Sequence, residues 1–268
     1  MSPLAKFADR SAVIFGASEG TGLALARALA GRVAGVGIVS RSSEKLARAA
    51  ASLKNGGAGN LHVAAADVTS PAQTQQAFDA CIAALGPAGI VVNCAGAAHP
   101  GYFEDLPGDV FEEQMRRHLM GTVNVFKAAI QHLKSQSAPT RLVATASVLG
   151  LFGMFGYSAY AASKHAVVGL CQSLRSEYGR TPMRVSVLCP PSIDTPGFAA
   201  ENKIKPAAVL KMEMKGGVLK PEAVADTLVR ALPKGPALIL PGKEAKLPYF
   251  LNRFAPGLFE RLIARPPG

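Results

Sequence analysis

A tyrosine and a lysine four residues apart, Tyr160 and Lys164, close the stretch SVLGLFGMFGYSAYAASK that begins at Ser147. On a helix that spacing puts both side chains on one face. An ammonium beside a phenol favours the phenolate and lowers its pKa from the usual value of about 10. A tyrosine so placed can pass a proton to or from an alcohol or ketone oxygen near neutral pH. Tyr157 stands seven residues before the lysine, two turns away, and is expected to pack beside the site or line a substrate mouth. Ser147 lies thirteen positions before Tyr160, at the end of an apolar run, where its hydroxyl can donate to the same substrate oxygen and hold it for hydride transfer.

A second group of residues is suited to phosphate. The loop GASEGTG sets Gly16, Gly20 and Gly22 between an apolar run and a helical pattern. Glycine allows positive φ and close approach of the backbone, and the helix N-terminus that follows presents free N–H groups to an anion. The spacing G-x3-G-x-G differs from the commoner dinucleotide fingerprint, so its placement after a first strand carries the signal. About 20 residues on, an acid would bind a ribose 2′-hydroxyl. Here the chain reads VSRSSEK, with Ser40 and Arg41 and no acid at the tip. Arg41 can pair with a 2′-phosphate, which points to NADPH over NADH.

The elements that must hold these groups are short apolar runs at 12–16, 35–40, 61–67, 89–96, 141–147, 184–191 and 237–242, separated by helical patterns. Runs that are apolar throughout mark parallel strands covered on both faces. About seven strands with intervening helices predict one α/β domain over 1–268: a Rossmann-type doubly wound parallel sheet with helices on both faces. A segment at about 190–220 is expected to cover the substrate. The stretch 243–268 has apolar residues at helical spacing with Lys and Arg between them, which reads either as a helix closing over the core or as a lip resting on a bilayer.

Composition narrows the function classes. With 49% hydrophobic residues the chain can bury a large core. The four cysteines, at 81, 94, 171 and 189, have no CxxC spacing, and the five histidines are scattered, so no metal site is expected. The net charge of +11 is consistent with a basic surface, a polyanionic cofactor or an anionic membrane face. No arginine-rich run or nucleic-acid motif occurs, so nucleic acid is not an expected partner. The N-terminus has no signal-peptide pattern and no apolar run is long enough to span a bilayer, which predicts a cytoplasmic protein, peripheral to the membrane if the lip reading holds.

The serine, tyrosine and lysine, the glycine loop and the sequence NCAG (93–96) together resemble the short-chain dehydrogenase/reductase family over residues 10 to 240. That resemblance implies catalytic roles for Ser147, Tyr160 and Lys164. It implies cofactor contacts from Gly16, Ser18, Glu19, Gly20, Thr21, Gly22, Ser40, Arg41, Asp67, Val68, Asn93, Ala95, Gly96, Tyr160, Lys164, Pro190, Ile193 and Thr195. It also implies pairing into a homodimer or homotetramer through helices near 109–135 and 158–178. Three positions depart from the family pattern. Phe15 replaces a threonine, Cys94 replaces an asparagine, and His118 stands where an asparagine usually holds a water in the proton relay. An imidazole at 118 either takes over that relay or fills a helix kink.

The block PPSIDTPGFAAENKIKP (190–206) and the run GMFGYSAY (153–160) resemble the 3-ketodihydrosphingosine reductases within that family. The implied reaction is NADPH-dependent reduction of the lipid-like ketone 3-ketosphinganine, with Phe152, Met154, Phe155 and Phe198 as candidates to line an acyl channel. Two alternatives stay open: reduction of a steroid, fatty-acyl or xenobiotic ketone, and an inactive NADPH-binding regulator. A Rossmann methyltransferase would leave Ser147, Tyr160 and Lys164 without a role.

Overall fold

The computed structural model describes residues 4–264, so residues 265–268 of the tail lie outside the described residues. Six strands lie between Ser11 and Leu188: β1 (Ser11–Phe15), β2 (Val36–Ser40), β3 (Leu61–Ala65), β4 (Ala88–Asn93), β5 (Thr140–Thr145) and β6 (Met183–Leu188). A two-residue pair, β7 (Ser192–Ile193) and β8 (Val218–Leu219), follows, and then β9 (Leu238–Ile239). Seven of these form one sheet in the order β3-β2-β1-β4-β5-β6-β9, with every pairing parallel. This is the doubly wound arrangement that the apolar runs predict. Each run falls within a few residues of a strand.

The helices are α1 (Gly20–Leu29), α2 (Ser43–Asn55), α3 (Pro71–Leu85), α4 (Gly108–Met115), α5 (Gly121–Lys134), α6 (Ser158–Glu177), α7 (Pro196–Glu201), α8 (Ala207–Gly216), α9 (Pro221–Ala231), α10 (Gly242–Phe254) and α11 (Pro256–Ile263). Successive strand residues point to opposite faces, and both faces are covered. Ala12 and Ile14 of β1 join Leu25, Leu29, Leu46 and Leu228 in one core, while Val13 and Phe15 join Phe78, Phe126 and Leu133 in the other. That explains why the strands show no alternation in sequence. Each leucine or isoleucine so buried contributes about 1.5–3 kcal/mol relative to exposure. A third, smaller cluster of Val148, Leu149, Tyr157, Ala161, Val209 and Ala245 sits above the strand ends.

Two local features bear on the site. The long helical region after β4 is one axis broken by a π-helical turn, Arg116–Met120, between α4 and α5. The segment at 190–220 is folded: Thr195 caps α7 by accepting from Phe198 N at 3.1 Å, and β7 pairs with β8. Among the described residues no helix is long and apolar enough to cross a membrane.

Candidate active site

The strand order reverses between β1 and β4, and in open α/β sheets the crevice at the carboxyl ends beside such a reversal is where ligands bind. A cavity of about 1120 Å³ opens there. Its wall contains Gly16, Ser18, Glu19, Gly20, Thr21, Gly22, Ser40, Arg41, Asp67, Val68, Ala95, Gly96, Ser147, Tyr160, Lys164, Pro190, Ile193 and Thr195. The fold therefore gathers in one place residues that are up to 179 positions apart (Gly16 to Thr195).

At the phosphate end the glycines are required by packing. A Cβ on Gly22 would lie 2.2 Å from the Gly16 carbonyl oxygen, and one on Gly16 would lie 2.5 Å from Ala95 N. Gly16 and Gly20 also take positive φ, 77° and 57°. Helix α1 begins here with no side-chain cap, which leaves its first N–H groups facing the cavity side of the loop. That bare cradle fits a pyrophosphate. Ser18 and Ser40 hydroxyls meet at 2.9 Å, and Arg41 stands beyond them, 3.9 Å from Asp67. The Arg41 side chain is 64% exposed, so it is free to turn onto an anion. Burial pushes the Asp67 carboxyl up, but hydrogen bonds from Thr69 N and Oγ1, both 2.9 Å, then Arg41 and Arg117, bring it below its ordinary value.

Some of the wall could not be read from the sequence. Lys45, in the first turn of α2, pairs with Glu19 at 2.8 Å and lines the cavity with Arg116 and Arg117. No motif marks Lys45, because the contact spans 26 residues and depends on the packing of α2.

At the chemical end, Tyr160 and Lys164 share one face of α6, with Lys164 Nζ 5.5 Å from the Tyr160 ring centre. Lys164 Nζ also donates to Thr145 O at 3.0 Å. Burial lowers Lys164 to about 8, which Cys189 and Cys94 partly offset. The phenol differs from expectation. Burial first, then the Glu201 carboxylate, hold Tyr160 above its ordinary value, with the Ser147 hydroxyl pulling it down and Glu213 and Cys189 pushing it up. Desolvation and the two carboxylates outweigh the Ser147 hydrogen bond, so the resting group is a protonated phenol.

Tyr157 is answered differently from Tyr160. It is buried, and its hydroxyl donates to Glu201 and, at 3.1 Å, to Glu213. The expected lining residues Phe152, Met154 and Phe198 reach the cavity, whereas Phe155 packs into the cluster beneath it and is not on the wall.

Two residues assigned by resemblance sit behind the wall. Asn93 is buried, donates to Thr122 Oγ1 at 3.0 Å and accepts from Ala95 N at 3.0 Å, so it fixes the loop that the cavity touches. His118 lies in the π-helical turn. Its Nε2 accepts from Ala97 N at 3.3 Å, its Nδ1 meets Ser163 Oγ at 2.8 Å, and Ser163 donates to Tyr160 O at 2.7 Å. An accepting Nε2 requires the proton on Nδ1, which makes the ring neutral and fully partnered. Burial, then Lys164 and Arg117, hold His118 well below its ordinary value, against the Ala97 hydrogen bond. The ring stands edge-on to Tyr160 at 5.2 Å. It ties the β4 loop to α6 and has no ring nitrogen left for a water. It also fills the space above Gly96, where a Cβ would meet it at 2.9 Å. Cys94 accepts from Thr145 Oγ1 at 3.4 Å, and burial pushes its thiol up to about 11, so it is an inert filler.

A family model described as short chain dehydrogenase matches residues 10–205. A bovine protein named 3-ketodihydrosphingosine reductase is 34% identical over 227 residues, 83% of this chain and 68% of its own. Among solved structures, a short chain dehydrogenase/reductase from Burkholderia phymatum in complex with NAD has a TM-score of 0.84 at 25% identity, covering 98% of this chain and 99% of its own. An actinorhodin polyketide ketoreductase with NADPH has a TM-score of 0.79 at 25% identity, covering 88% and 97%.

Proposed function

The chain belongs to the short-chain dehydrogenase family, and on that premise we propose that it reduces a long-chain ketone with NADPH, the substrate being 3-ketosphinganine and the product sphinganine. The observation that carries this reading is the single cavity that joins the glycine cradle at one end to Ser147, Tyr160 and Lys164 at the other. Its wall continues over Phe152, Met154, Pro248, Phe259 and Leu262, an apolar lining suited to an alkyl chain.

The residues divide the work. Gly16, Gly20 and Gly22 with the α1 N-terminus would hold the pyrophosphate, Ser18, Ser40 and Arg41 the 2′-phosphate, and Asp67 and Val68 the adenine. Lys164 would hold the nicotinamide ribose, and Thr195, Ile193 and Pro190 would flank the nicotinamide. The structures bound to NAD and to NADPH are equally distant relatives by identity. Arg41 at the β2 tip, with no acid beside it, favours the phosphorylated cofactor. When bound, NADPH supplies the hydride.

Ser147 and Tyr160 donate to the ketone oxygen and orient the carbonyl carbon. Tyr160, resting protonated, gives its proton to the oxygen as the alcohol forms. Lys164 retains most of its charge at pH 7, since its pKa is about 8, and stabilises the phenolate left behind. A phenol that rests protonated has its proton in place for the ketone oxygen, which matches the reductive direction. With both ring nitrogens of His118 occupied, its part is to hold Ala97 and Ser163 in place.

We propose further that the protein rests on anionic bilayers through α10 and α11. Leu247, Phe250, Phe254, Leu258 and Leu262 are exposed there, interleaved with Lys243, Lys246, Arg253 and Arg261. Apolar faces edged with basic side chains bind anionic interfaces.

The test is NADPH oxidation at 340 nm by the purified protein with 3-ketosphinganine in mixed micelles, beside Tyr160→Phe and an NADH control. Turnover is expected with NADPH and is lost by at least about 1000-fold in the variant. NADPH binding with no turnover of this ketone would sink the substrate assignment.

A further inference from the structure

The segment that covers the reacting end of the cavity carries an unbalanced charge. The Lys205 side chain is fully buried, with its ammonium 3.1 Å from Glu201 and paired also to Glu213. It donates to Asn202 Oδ1 at 2.7 Å and lies 4.4 Å from the centre of the Phe198 ring. One cation thus serves two carboxylates. Tyr157 and Ser192 add hydrogen bonds to those carboxylates but no charge.

The imbalance has a direction. Lys205 lies behind the wall, whereas Glu201, Glu213 and Tyr157 are on it, beside Ser147 and Tyr160. Burying a carboxylate without a full counter-charge is costly, and burial accordingly raises the Glu201 carboxyl, against the pull of Tyr157 and Lys205. The cavity-lining cations Arg41, Lys45, Arg116 and Arg117 belong to the phosphate end. Lys164 donates to Thr145 O, and Lys215 is an exposed residue of the last turn of α8. A group of carboxylates alone would not mark a site. Here the catalytic serine and tyrosine share the wall with them, and the relative's ketone is an amino ketone with its nitrogen on the carbon next to the carbonyl.

We propose that Glu201, supported by Glu213, is the counter-ion for the ammonium of an α-amino ketone and so selects amino ketones over neutral ketones of equal length. This rests on the reading that the cavity reduces a sphingoid ketone. With the carbonyl oxygen on Ser147 and Tyr160, an ammonium one carbon away falls beside the same wall. Its charge balances the second carboxylate.

The experiment uses wild type and Glu201→Gln with saturating NADPH, on 3-ketosphinganine and on its desamino analogue of the same chain length. The amide can still accept from Tyr157, and Lys205 and Glu213 remain as a neutral pair. Wild type is expected to prefer the amino ketone, and in the variant kcat/KM for it is expected to fall by about 30- to 100-fold while the desamino ketone changes by less than about threefold. Equal losses on both substrates, or a wild type indifferent to the amine, overturn the counter-ion assignment and leave the ketone reductase standing. A wild type that reduces only the neutral ketone, or neither, overturns the parent reading and this one with it. Should the variant fail to fold, competition in wild type decides: a long-chain alkylammonium is expected to inhibit at least about tenfold better than the matching alcohol, and equal inhibition overturns the proposal.

Discussion

The two ends of the cavity are built by different means. The phosphate end is backbone: the β1 and β4 loops press so closely that two successive contacts, Gly22 on Gly16 and Gly16 on Ala95, leave no room for a methyl group. The substrate end is side chain: Tyr157, Ser192, Glu213 and the i,i+4 pair Glu201 and Lys205 are joined by hydrogen bonds and ion pairs. A backbone cradle recognises what every phosphate shares and has no slack. A side-chain cluster can be retuned one residue at a time, which suits the end that must distinguish substrates.

The sharpest way to break this contrast is Gly22→Ala. The added methyl would lie 2.2 Å from a carbonyl that is itself fixed against Ala95, so cofactor affinity should fall by at least about 100-fold in a fluorescence titration. By contrast Glu201→Gln should leave that affinity within about twofold. An alanine variant that binds NADPH normally would mean that the loop yields.

Lys164 sits where the two ends meet, and it tests stability against function. Its native pKa is about 8, below the value of about 10.4 expected for an unfolded lysine. Between those values the unfolded chain holds more protons, so wild-type stability rises with pH through that window, and below about pH 8 the full burial penalty is present. Lys164→Met should therefore abolish turnover yet stabilise the fold at pH 7 by about 1–3 kcal/mol, at about 2–4 °C of melting temperature per kcal/mol. The gain should disappear by about pH 10.5. A variant that melts at or below wild type at pH 7 would show that the ammonium is compensated in the native state.

The smallest expected effect lies at the outer rim. Replacing Phe254 and Leu258 together by serine should weaken flotation with anionic vesicles by about tenfold and leave reduction of a short soluble ketone unchanged. The Phe254 side chain, at 76% exposure, has little to lose within the fold. Undiminished flotation would remove α10 and α11 as the contact.

The sequence made the backbone-built end readable and much of the other end obscure. Parallel strands covered on both faces leave apolar runs, and the glycines mark their own close contacts. The π-helical turn at Arg116–Met120 leaves no such mark, because a single wide turn barely disturbs the periodicity on either side. The pairing of Ser192 and Ile193 with Val218 and Leu219 is too short to produce a pattern. Glu201, Asn202 and Lys205 were visible as a block through resemblance, but Glu213 was not, since its place depends on how α8 packs. Helical spacing favours Tyr160 over Tyr157 as the partner of Lys164, and the structure sets the lysine Nζ 5.5 Å from the Tyr160 ring centre. The raised pKa of Tyr160 leaves no mark in the sequence, because burial, the main cause, is set by packing, and the carboxylates that add to it lie 41 and 53 residues further along the chain (201 and 213 against 160).

The imidazole at position 118 also limits what position 96 can hold. A side chain at position 96 would enter the space that the ring occupies, so the ring must move or shrink to admit it. Shrinking it releases Ala97 and Ser163 from their shared partner. The residues at 96 and 118 therefore share one space, and a side chain at 96 is accommodated only where the one at 118 gives way.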